Sequence, residues 1–448
     1  MQCCDKINCF EKGHLCVPES NLPRIIIVGG GFAGLNLVKS LKNMKVQLVL
    51  LDKNNFHQFI PLLYQVATSG IEPDNIIFPF RKVFNDYKNV VYRMTEVLSI
   101  NSTTNILNTT VGSISYDFLV VACGSETNFY GNKGFENFGQ GLKSITDALN
   151  IRSQLLKNLE KATVTCLKEE KETLSSIAVI GGGPAGVEIA GALAEFKRYV
   201  LPKDYPELQN IEVKIFLLEA TDRLLQWMPG KLSEKTLKYL TDLKVNVRLN
   251  SPIKSYDGIQ VTLENGEKLK AASFIWTAGV KGTNMQGLPS NIKSKQNRLI
   301  VDEFNRIHSL KNVFAIGDIA MMNTEEYPSG HPMVAQVAIQ QGKALAANLM
   351  RMIHHESLIP FKYRDKGSMA TIGKKKAVAT IKNLEFGGFF AWLIWSFIHL
   401  MSIMGVRNKV LVAVNWLWSY FNYDKGDRVI IDRCKDDYKT EQQEVIIN

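Results

Sequence analysis

Twice along the chain, a short apolar run ends at three consecutive glycines and is followed by a helix-like pattern. The first run, RIIIV, leads into GGGFAG at Gly29 to Gly34, and the second, SSIAVI, leads into GGGPAG at Gly181 to Gly186. A continuous apolar run of this length is typical of a buried strand, whereas the apolar spacing after each turn is typical of a helix. The pattern therefore predicts two strand–turn–helix units and an α/β fold.

The spacing of the glycines in both turns is that of a dinucleotide-binding fingerprint. Gly29 and Gly181 permit the tight turn, Gly31 and Gly183 let the backbone approach a pyrophosphate, and Gly34 and Gly186 let helix and strand pack closely. The helix N-terminus that follows offers unpaired N–H groups and a positive dipole end to the phosphates. One such turn arises easily by chance, but two in this context predict two dinucleotides with electrons passing between them.

A carboxylate follows each unit at the end of the next apolar strand. VQLVLL ends at Asp52, and after an insertion in the second crossover VKIFLLE ends at Glu219. A carboxylate at this place accepts hydrogen bonds from the adenosine ribose. Asp52, with the adjacent Lys53, is therefore assigned to the first site and Glu219 to the second. Glu219 would repel the 2′-phosphate of NADP, and Ala220 rather than an arginine follows it, so NADH is the expected ligand. In the alternative interpretation both carboxylates are merely solvated strand ends.

Composition limits the class of protein. The 448 residues, 46% of them hydrophobic and 21% charged, are enough for two or three cores. The formal net charge of +10 suits dinucleotide phosphates or an anionic membrane surface. We exclude nucleic acid, since no helix-turn-helix, zinc-finger or RNA-binding signature accompanies scattered lysines. Residues 1–23 lack the apolar core and cleavage site of a secretory signal.

Four of the seven cysteines, Cys3, Cys4, Cys9 and Cys16, crowd the N-terminus together with His14. Their spacing matches no structural zinc or iron–sulfur pattern, so we predict no metal site and a flexible, reduced extension over residues 1–22. Cys123, Cys166 and Cys434 are isolated. A redox-active cysteine pair next to the first helix is missing, which excludes a disulfide reductase and disfavours an enzyme that oxidises sulfide.

The order of the remaining segments predicts one Rossmann-like domain inserted into another. YDFLVVACGS, with Ala122 and Gly124, closes the first domain, and SFIWTAGV, with Ala278 and Gly279, closes the second. The predicted boundaries are 1–22 for the extension, 23–146 and 291–365 for the first nucleotide-binding domain, 147–176 for a charged helical bridge, 177–290 for the second nucleotide-binding domain, 366–430 for a C-terminal membrane-associating region and 431–448 for a polar tail.

Asp318 ends the strand NVFAIGD, which returns the chain to the first domain. Its carboxylate would face the ribityl chain of a nucleotide bound at the Gly29 turn. The alternative is an aspartate that caps a helix beginning at IAMM, and the two roles are compatible.

Together, the two turns, LVVACGS, FIWTAGV and VFAIGD resemble the two-dinucleotide-binding-domain flavoprotein superfamily. Within it, FHQFIPLLYQVATSGI at Phe56 to Ile71, AQVAIQQG at Ala335 to Gly342 and MATIGKKKAV at Met369 to Val378 resemble the type II NADH dehydrogenases. These are single-subunit, non-proton-pumping NADH:quinone oxidoreductases of electron-transport chains. The resemblance covers nearly the whole chain and implies FAD at the first turn, NADH as co-substrate at the second, a quinone in the membrane as acceptor, and a homodimer.

Glu188 is the first catalytic candidate, because it lies two residues after Gly186. We expect it on the first turn of the second nucleotide helix, where it would reach the nicotinamide end of the dinucleotide and take part in proton movement. The resemblance makes it the glutamate that contacts NADH. The alternative is an acid placed at a helix N-terminus for stability.

Gln336 and Gln340 are the other catalytic candidates. They stand four residues apart and therefore share one helix face. Neutral amides can hydrogen-bond a quinone carbonyl and a flavin edge without burying charge. The resemblance assigns these two glutamines, with Gln341, to the quinone pocket. The alternative is a structural amide pair. Phe59, Pro61 and Tyr64 are candidates for the same cavity or for ordinary core.

The stretch from Gly387 to Val406 is almost uncharged and rich in tryptophan and phenylalanine. Its length approaches the roughly 20 residues that span a bilayer. Two glycines, two serines and His399 weaken it, and Arg407 and Lys409 separate it from the shorter VLVAVNWLWSYF. Aromatic residues with a basic connection favour helices lying in the membrane interface, as a peripheral, monotopic attachment at the cytoplasmic face of a bacterial inner membrane. A single span and a buried core or dimer interface remain open.

The pattern and the resemblance together imply FAD-dependent transfer of two electrons from NADH to a membrane quinone, without proton pumping. Two other functions remain open. One is a soluble NAD(P)H-dependent flavoprotein reductase with a protein acceptor, which membrane partitioning would distinguish. The other is a nucleotide-sensing flavoprotein interaction module, which bleaching of the flavin by NADH would exclude.

Overall fold

The computed structural model describes residues 13–382, 384–422 and 428–430. Within them the chain forms two compact units, each assembled from separate segments. The first unit contains residues 13–58, 77–128 and 280–366, and the second contains residues 59–76, 129–279 and the described residues from 367 onward. The chain therefore passes from one unit to the other several times, as an inserted domain requires.

The strands are short and mostly apolar, and they are numbered here in chain order. They are β1 (Arg24–Val28), β2 (Gln47–Asp52), β3 (Phe56–Gln58), β4 (Ile77–Pro79), β5 (Val90–Met94), β6 (Val97–Asn101), β7 (Ile106–Thr109), β8 (Gly112–Ser115), β9 (Phe118–Val121), β10 (Ser125–Thr127), β11 (Ile177–Ile180), β12 (Ile215–Leu218), β13 (Asn246–Arg248), β14 (Ile253–Tyr256), β15 (Gln260–Leu263), β16 (Lys268–Lys270), β17 (Ser273–Trp276), β18 (Val280–Gly282), β19 (Leu299–Val301), β20 (Val313–Ala315), β21 (Ala320–Met322), β22 (Ser368–Thr371), β23 (Ala377–Ile381) and β24 (Leu384–Gly388).

The helices follow the same numbering. They are α1 (Phe32–Leu41), α2 (Leu63–Ala67), α3 (Phe80–Val83), α4 (Lys133–Phe138), α5 (Ile145–Val164), α6 (Lys168–Ser175), α7 (Pro184–Tyr199), α8 (Leu201–Asp204), α9 (Gly230–Asp242), α10 (Ala335–Ile353), α11 (Phe389–Ser402) and α12 (Val406–Asn422).

The first unit is built on a five-stranded sheet in the order β20-β9-β1-β2-β5. Every neighbouring pair in it is parallel. After Arg24, β1 consists of buried branched apolar residues, and so does β2 between Gln47 and Asp52, because a parallel sheet is covered on both faces. α1 follows β1 and packs against α10. This is the Rossmann-like arrangement that the first glycine-rich turn predicts.

The second unit repeats the arrangement with four parallel strands in the order β13-β12-β11-β17. All four residues of β11 and of β12 are buried, and α7 connects these two strands. In each unit the glycine-rich turn follows the central strand from which the order reverses. Ligands of doubly wound sheets bind at that switch point. The predicted fold class, with two interleaved Rossmann-like domains, is confirmed.

The predicted domain boundaries remain a prediction, and three segments group differently from the expectation, since residues 280–290 belong to the first unit. Residues 59–76 and 129–146 belong to the second unit. The reason lies in tertiary packing, since α2 contacts α5 and α7, and the backbone N–H of Gln140 donates to Phe274 of β17. Nothing in the local sequence of these segments indicates such distant partners.

The expectation of a flexible extension is wrong for its described part, residues 13–22. The side chain of Leu15 is buried in the core of the first unit, and its backbone N–H donates to Ser113 at 2.8 Å. The Gln47 amide donates to the Pro18 carbonyl. One apolar side chain with backbone partners is enough to hold the segment. Cys3, Cys4, Cys9 and Cys434 lie outside the described residues.

The C-terminal part of the second unit is a three-stranded antiparallel sheet, β22-β23-β24, followed by α11 and α12. Gly387 and Gly388 belong to β24 rather than to a helix. The apolar stretch is therefore divided, and α11 has only 14 residues. Over the residues described by the structure, no helix combines the length and the apolar character needed to cross a membrane.

Candidate functional site

The glycines of the first glycine-rich turn differ in the space around them. At two of them an added Cβ atom would collide with the backbone, and at a third it would meet no atom. Gly29 has φ of +103°, and a Cβ there would collide with the Ala122 carbonyl. A Cβ at Gly34 would collide with the carbonyl of Gly29. At Gly31, however, a Cβ would meet nothing within 4 Å, and no side chain caps α1. The open space and the uncapped N–H groups fit the pyrophosphate of a dinucleotide.

Asp52 closes this turn. Its Oδ2 accepts the backbone N–H of Gly30 at 2.7 Å, and its Oδ1 accepts that of Asn54 at 2.7 Å. Burial raises the pKa of Asp52, although both hydrogen bonds and the neighbouring Lys53 act in the opposite direction. The predicted carboxylate is therefore next to the predicted turn and already holds it. Its contact with a ribose stays a prediction.

His57 is a residue of this site that the sequence analysis did not assign. Its Nδ1 lies 3.0 Å from the Gly30 carbonyl, and its ring meets that of Phe32 edge to face. Burial lowers the pKa of His57 to about 4, so at neutral pH the uncharged ring donates an N–H to the carbonyl. Asp52 and His57 together hold both polar groups of the Gly30 residue. The only signal was its place in FHQFIPLLYQVATSGI.

Asp318 lies at a tight 3₁₀ turn in the same unit. The Ser125 hydroxyl donates to its Oδ2 at 2.6 Å, so the segment just after Ala122 and Gly124 reaches this carboxylate. Gly317 has φ of +77°, and a Cβ there would lie 3.1 Å from the Ala33 side chain at the start of α1. The structure thus brings Asp318 to the Gly29 turn. The helix-capping alternative is wrong, because strand β21 and not a helix follows.

Gln341 supports this turn from α10. Its side chain is only 1% exposed, and its Oε1 accepts the Gly317 N–H at 2.7 Å. Arg298, another residue the sequence analysis did not assign, is also buried and donates to the backbone carbonyls of Asp318 and Ala320. The two side chains hold the backbone on both sides of the Asp318 carboxylate. A role of Gln341 in a quinone pocket stays a prediction.

Gln336 and Gln340 share a helix face, as their spacing predicts. Both side-chain amides form hydrogen bonds with the segment from Arg364 to Lys366. Gln336 donates to Asp365 at 3.2 Å and accepts from the Lys366 N–H at 3.1 Å. Gln340 donates to the Arg364 carbonyl at 2.9 Å and accepts from its N–H at 3.0 Å. These contacts correspond to the structural alternative. A catalytic role of this pair stays a prediction.

The second glycine-rich turn, in the second unit, repeats the first closely. Gly181 has φ of +103°, and a Cβ there would lie 2.8 Å from the Ala278 Cα. A Cβ at Gly186 would collide with the Gly181 carbonyl. α7 begins with Pro184 and has no side-chain cap, so its free N–H groups face the turn. Gly279 follows Ala278, and a Cβ there would collide with the Tyr130 hydroxyl.

Glu219 closes the second turn in the same way. Its Oε2 accepts the Gly182 N–H at 2.5 Å, and its Oε1 accepts both the N–H and the hydroxyl of Thr221, at 2.9 and 2.7 Å. The nearest following arginine is Arg223, whose guanidinium donates to the Gln226 carbonyl of its own loop. In the described structure Arg223 is therefore bound to its own loop rather than directed to the place where a 2′-phosphate would need an arginine.

Glu188 is one turn further along α7 than expected. Gly183 is the N-cap and Pro184 the first helical residue, so Glu188 lies on the second turn. The expectation of a first-turn position is wrong, and the stabilising effect of a helix N-terminus fades within the first turn. Glu188 is 8% exposed, and burial raises its pKa to about 8. The Thr371 N–H, at 3.4 Å, and the Trp395 indole offset only part of that effect.

A chain of hydrogen bonds in the second unit leads from this carboxyl to the C-terminal helices. The Thr371 hydroxyl lies 2.9 Å from the Tyr64 hydroxyl, and the Gln65 amide donates to that hydroxyl at 2.8 Å. Gln65 in turn accepts the indole N–H of Trp416 in α12 at 2.8 Å. An indole can only donate, so this contact fixes the orientation of the amide. Burial raises the pKa of Tyr64 far above its usual value, so its hydroxyl stays protonated.

The two C-terminal helices expose an apolar surface. His399 is not part of it, because its ring stacks on Trp395 and burial lowers its pKa to about 4. The side chains of this apolar helix surface, all more than 40% exposed, are Phe389, Phe390, Leu393, Phe397, Ile398, Met401, Val406, Val410, Val414, Leu417 and Trp418. Monomeric proteins rarely leave so many neighbouring large apolar side chains in water.

No group of three or more His, Cys, Asp or Glu side chains among the described residues could hold a metal ion. Cys16, Cys123 and Cys166 carry free thiols. Burial raises the pKa of the Cys123 thiol, beside the first turn, to about 12. A thiol with so high a pKa is a poor nucleophile at neutral pH.

Comparison with known proteins connects these features to a family. The sequence model described as pyridine nucleotide-disulphide oxidoreductase matches residues 23–342, and the one described as NDH2 C-terminal domain matches residues 366–422. Type II NADH:quinone oxidoreductase Ndh of Mycobacterium tuberculosis is 32% identical over 429 residues, which cover 92% of this chain and 90% of that protein. External NADH-ubiquinone oxidoreductase 2 of Saccharomyces cerevisiae mitochondria is 28% identical, covering 89% of this chain and 81% of that protein.

Among solved structures, that of NDH2 from Plasmodium falciparum in complex with NADH has a TM-score of 0.84 to this chain. The sequence identity is 22%, and the match covers 92% of this chain and 100% of the other. At this level of identity the likeness establishes the fold, including the C-terminal helices.

Proposed function

Because this chain belongs to the type II NADH:quinone oxidoreductase family, we propose that it oxidises NADH and reduces a membrane quinone by two electrons, using FAD and pumping no protons. One observation carries the proposal. In each of two parallel sheets a strand ends in a glycine-rich turn. A carboxylate accepts a hydrogen bond from the N–H of the second glycine of the turn, and open space remains over the third glycine. A protein that binds only one nucleotide has no need of the second turn.

The first turn suits the resident flavin. Bound there, FAD supplies the redox chemistry, accepting two electrons from the nicotinamide and passing them on. The residues proposed to hold it are Gly29, Gly31, Gly34, Asp52, Lys53, Ala122, Gly124 and Asp318. Those proposed to hold NADH are Gly181, Gly183, Gly186, Glu219, Ala278 and Gly279. Asp318 is proposed to contact the ribityl chain, supported by the Ser125 and Gln341 contacts that keep its turn in place.

Glu188 is proposed to hold and deliver a proton. Reduction of a quinone to a quinol consumes two protons as well as two electrons, so an acid that is still protonated at neutral pH is useful. A pKa of about 8 gives Glu188 that property at its carboxyl oxygens. The hydrogen-bonded neighbours Thr371 and Tyr64 would keep the carboxyl in one orientation.

Gln336, Gln340 and Gln341 are proposed to form the quinone pocket, with Gln336 and Gln340 as catalytic residues that also shape it through their side-chain amides. Their amides hold Arg364 to Lys366 and Gly317. The function of the motif in this interpretation is to position a loop and the Asp318 turn. The domain boundaries predicted from the sequence, and the homodimer implied by the family, are kept as part of the same proposal.

The apolar helix surface is proposed to lie in the membrane interface, at the cytoplasmic face of a bacterial inner membrane. Its exposed tryptophan and phenylalanine side chains are the types that bind at head-group level. Arg407 and Lys409 begin α12, and Lys375 lies over the Tyr420 ring, so positive charge accompanies the surface. Anionic lipids would strengthen this attachment.

One experiment with the purified protein tests the function. We expect a yellow flavin spectrum, bleaching by NADH under anaerobic conditions, and return of the colour on addition of a short-chain quinone. We also expect sedimentation with anionic phospholipid vesicles that is weaker with neutral ones. A flavoprotein that NADH bleaches but quinone does not reoxidise would indicate a protein acceptor. A colourless protein, or one whose flavin NADH leaves oxidised, would contradict the proposal.

A further inference from the structure

The loop between β12 and α9 holds an exposed tryptophan close to three buried apolar side chains. Leu224, Leu225 and Met228 are almost completely buried, whereas Trp227 between them is 55% exposed. Of the six tryptophans only Trp227 and Trp418 are exposed, and Trp418 belongs to the apolar helix surface. An exposed indole is costly in water unless something covers it for part of the time.

Backbone contacts fix this loop against the second glycine-rich turn. The Leu225 N–H donates to the Gly182 carbonyl at 2.9 Å, and the Met228 N–H donates to the Leu225 carbonyl at 2.8 Å. The Ser233 hydroxyl binds the Leu224 carbonyl at 2.7 Å. Leu225 adopts φ of +48°, which a leucine rarely does. A strained residue held by this many contacts indicates that the position of the loop matters.

The Trp227 ring lies beside the open space over the turn. A Cβ at Gly183 would lie 3.7 Å from the Cη2 atom of Trp227 and would have no other neighbour within 4 Å. Gly183 is the glycine where a fingerprint turn lets the pyrophosphate approach. The indole is therefore one wall of a space whose floor is backbone. At the first turn, Gly31 has no neighbour at all within that distance.

We propose that Trp227 binds the dinucleotide at the second turn, packing its ring against the nucleotide next to the pyrophosphate. The inference rests on the proposed NADH site and adds a residue to it that no fingerprint includes. The ring supplies apolar area and the indole N–H supplies a donor, while the N-terminus of α7 supplies charge stabilisation. Binding would cover the exposed indole, which explains why an apolar ring is present at the surface.

The test uses ADP-ribose, which has the adenine, both riboses and both phosphates of NADH but no nicotinamide. It does not absorb tryptophan emission, so quenching reports contact and not energy transfer. With the FAD-loaded enzyme we expect ADP-ribose to quench part of the tryptophan emission. We expect Trp227→Ala to weaken its binding about tenfold, as for other base–aromatic contacts. Trp227→Phe keeps a ring and should lose the quenching while retaining most of the affinity.

Trp418→Ala is the matched control, since it removes the other exposed indole. It should bind ADP-ribose as the wild type does and keep the quenching. The visible flavin spectrum verifies that each variant is folded. If Trp227→Ala does not fold, the quenching measurement on Trp227→Phe still tests the proposal. Wild-type affinity in Trp227→Ala, or wild-type quenching in Trp227→Phe, would overturn the role of Trp227 but not the proposed NADH site. A wild type that does not bind ADP-ribose at all would instead overturn the proposed NADH site.

Discussion

The two glycine-rich turns share one backbone design and differ in what surrounds it. Both begin with a glycine at φ of +103°, and both bind a strand-end carboxylate through the N–H of the second glycine. Around the first turn, the buried His57 and Phe80 contact Gly30. Around the second, Leu225 binds Gly182 from a surface loop that ends in the exposed Trp227. The second glycine is buried in both turns, but Gly31 of the first turn is exposed, whereas Gly183 of the second is only partly exposed and has the Trp227 indole beside it.

The side chains around each turn suit its proposed ligand. FAD is a cofactor that stays bound, and a turn supported by buried side chains can keep its geometry for the lifetime of the protein. NADH is a co-substrate that must enter and leave in every cycle, and the exposed side chain of Trp227 is one that it could cover and uncover each time. A second contrast lies on the helices. Two residues after the last glycine, α1 has Asn36, bonded within its own helix, and α7 has the buried Glu188. Only the second helix carries an acid at this place.

The largest expected effects come from blocking the two glycine-rich turns one at a time. We expect Gly34→Ala to yield a colourless protein and Gly186→Ala to yield a yellow protein that NADH does not bleach. In both, the new Cβ would collide with a carbonyl of the same turn, an overlap that costs on the order of 1–3 kcal/mol where it can be relieved at all. Flavin content and anaerobic bleaching measure the two effects.

Gly230→Ala is the control for this pair, because its Cβ would only touch the end of Arg223 at 4.0 Å. It should keep both the flavin and the reaction with NADH. Normal flavin content in Gly34→Ala, or bleaching of Gly186→Ala at the wild-type rate, would mean that the turns do not have separate ligands.

A smaller effect is expected from the carboxylate of the second turn. Glu219→Gln combined with Ala220→Arg should raise the preference for NADPH over NADH, because the repulsion of a 2′-phosphate is replaced by attraction. One hydrogen bond to a charged group contributes about 1.5–3 kcal/mol, or roughly 10–100-fold in selectivity. The ratio of kcat/KM for the two nucleotides measures it.

Asp52→Asn is the matched change in the first turn. It should loosen the flavin and leave the NADPH:NADH ratio as it was. An unchanged ratio in the Glu219 variant, or an equal change in the Asp52 variant, would show that Glu219 does not determine the choice of nucleotide.

The smallest expected effect concerns Glu188 and pH. The folded pKa of about 8 lies above the value of roughly 4.3 expected in the unfolded chain, so the folded state keeps a proton that the unfolded chain has lost. Its stabilising contribution is therefore complete below about pH 4 and is lost as the pH rises through 8. Between pH 6.5 and 8 the unfolding free energy of the wild type should fall by about 1–2 kcal/mol relative to Glu188→Gln.

The comparison with Glu188→Gln cancels the contribution of the buried histidines, which is the same in both proteins. His57 and His399, with pKa values lowered to about 4, are uncharged in the folded state throughout this pH window, and their unfolded pKa of about 6.5 lies at its lower edge. Chemical denaturation of both proteins across the window measures the difference. Parallel curves for the wild type and Glu188→Gln would mean that the carboxyl is ionised in the folded protein.

The amino-acid sequence by itself determined the two strand–turn–helix units, the carboxylates that follow them and the family. These features depend on glycines and apolar runs that act on neighbouring backbone, so they can be read locally. Tertiary structure alone decided the partners of Gln336 and Gln340, the grouping of residues 59–76 with the second unit, and the contacts of His57 with Gly30.

Glu188 shows most clearly which properties follow from the sequence and which from the tertiary structure. Its distance from Gly186 is a fact of sequence, but its protonation depends on burial and on Thr371, 183 residues further along the chain. The same holds for Trp227, an ordinary loop tryptophan until the Leu225 backbone places it beside Gly183. Backbone conformation follows from near neighbours, whereas solvent exposure and hydrogen-bond partners are set by segments that meet only when the chain folds.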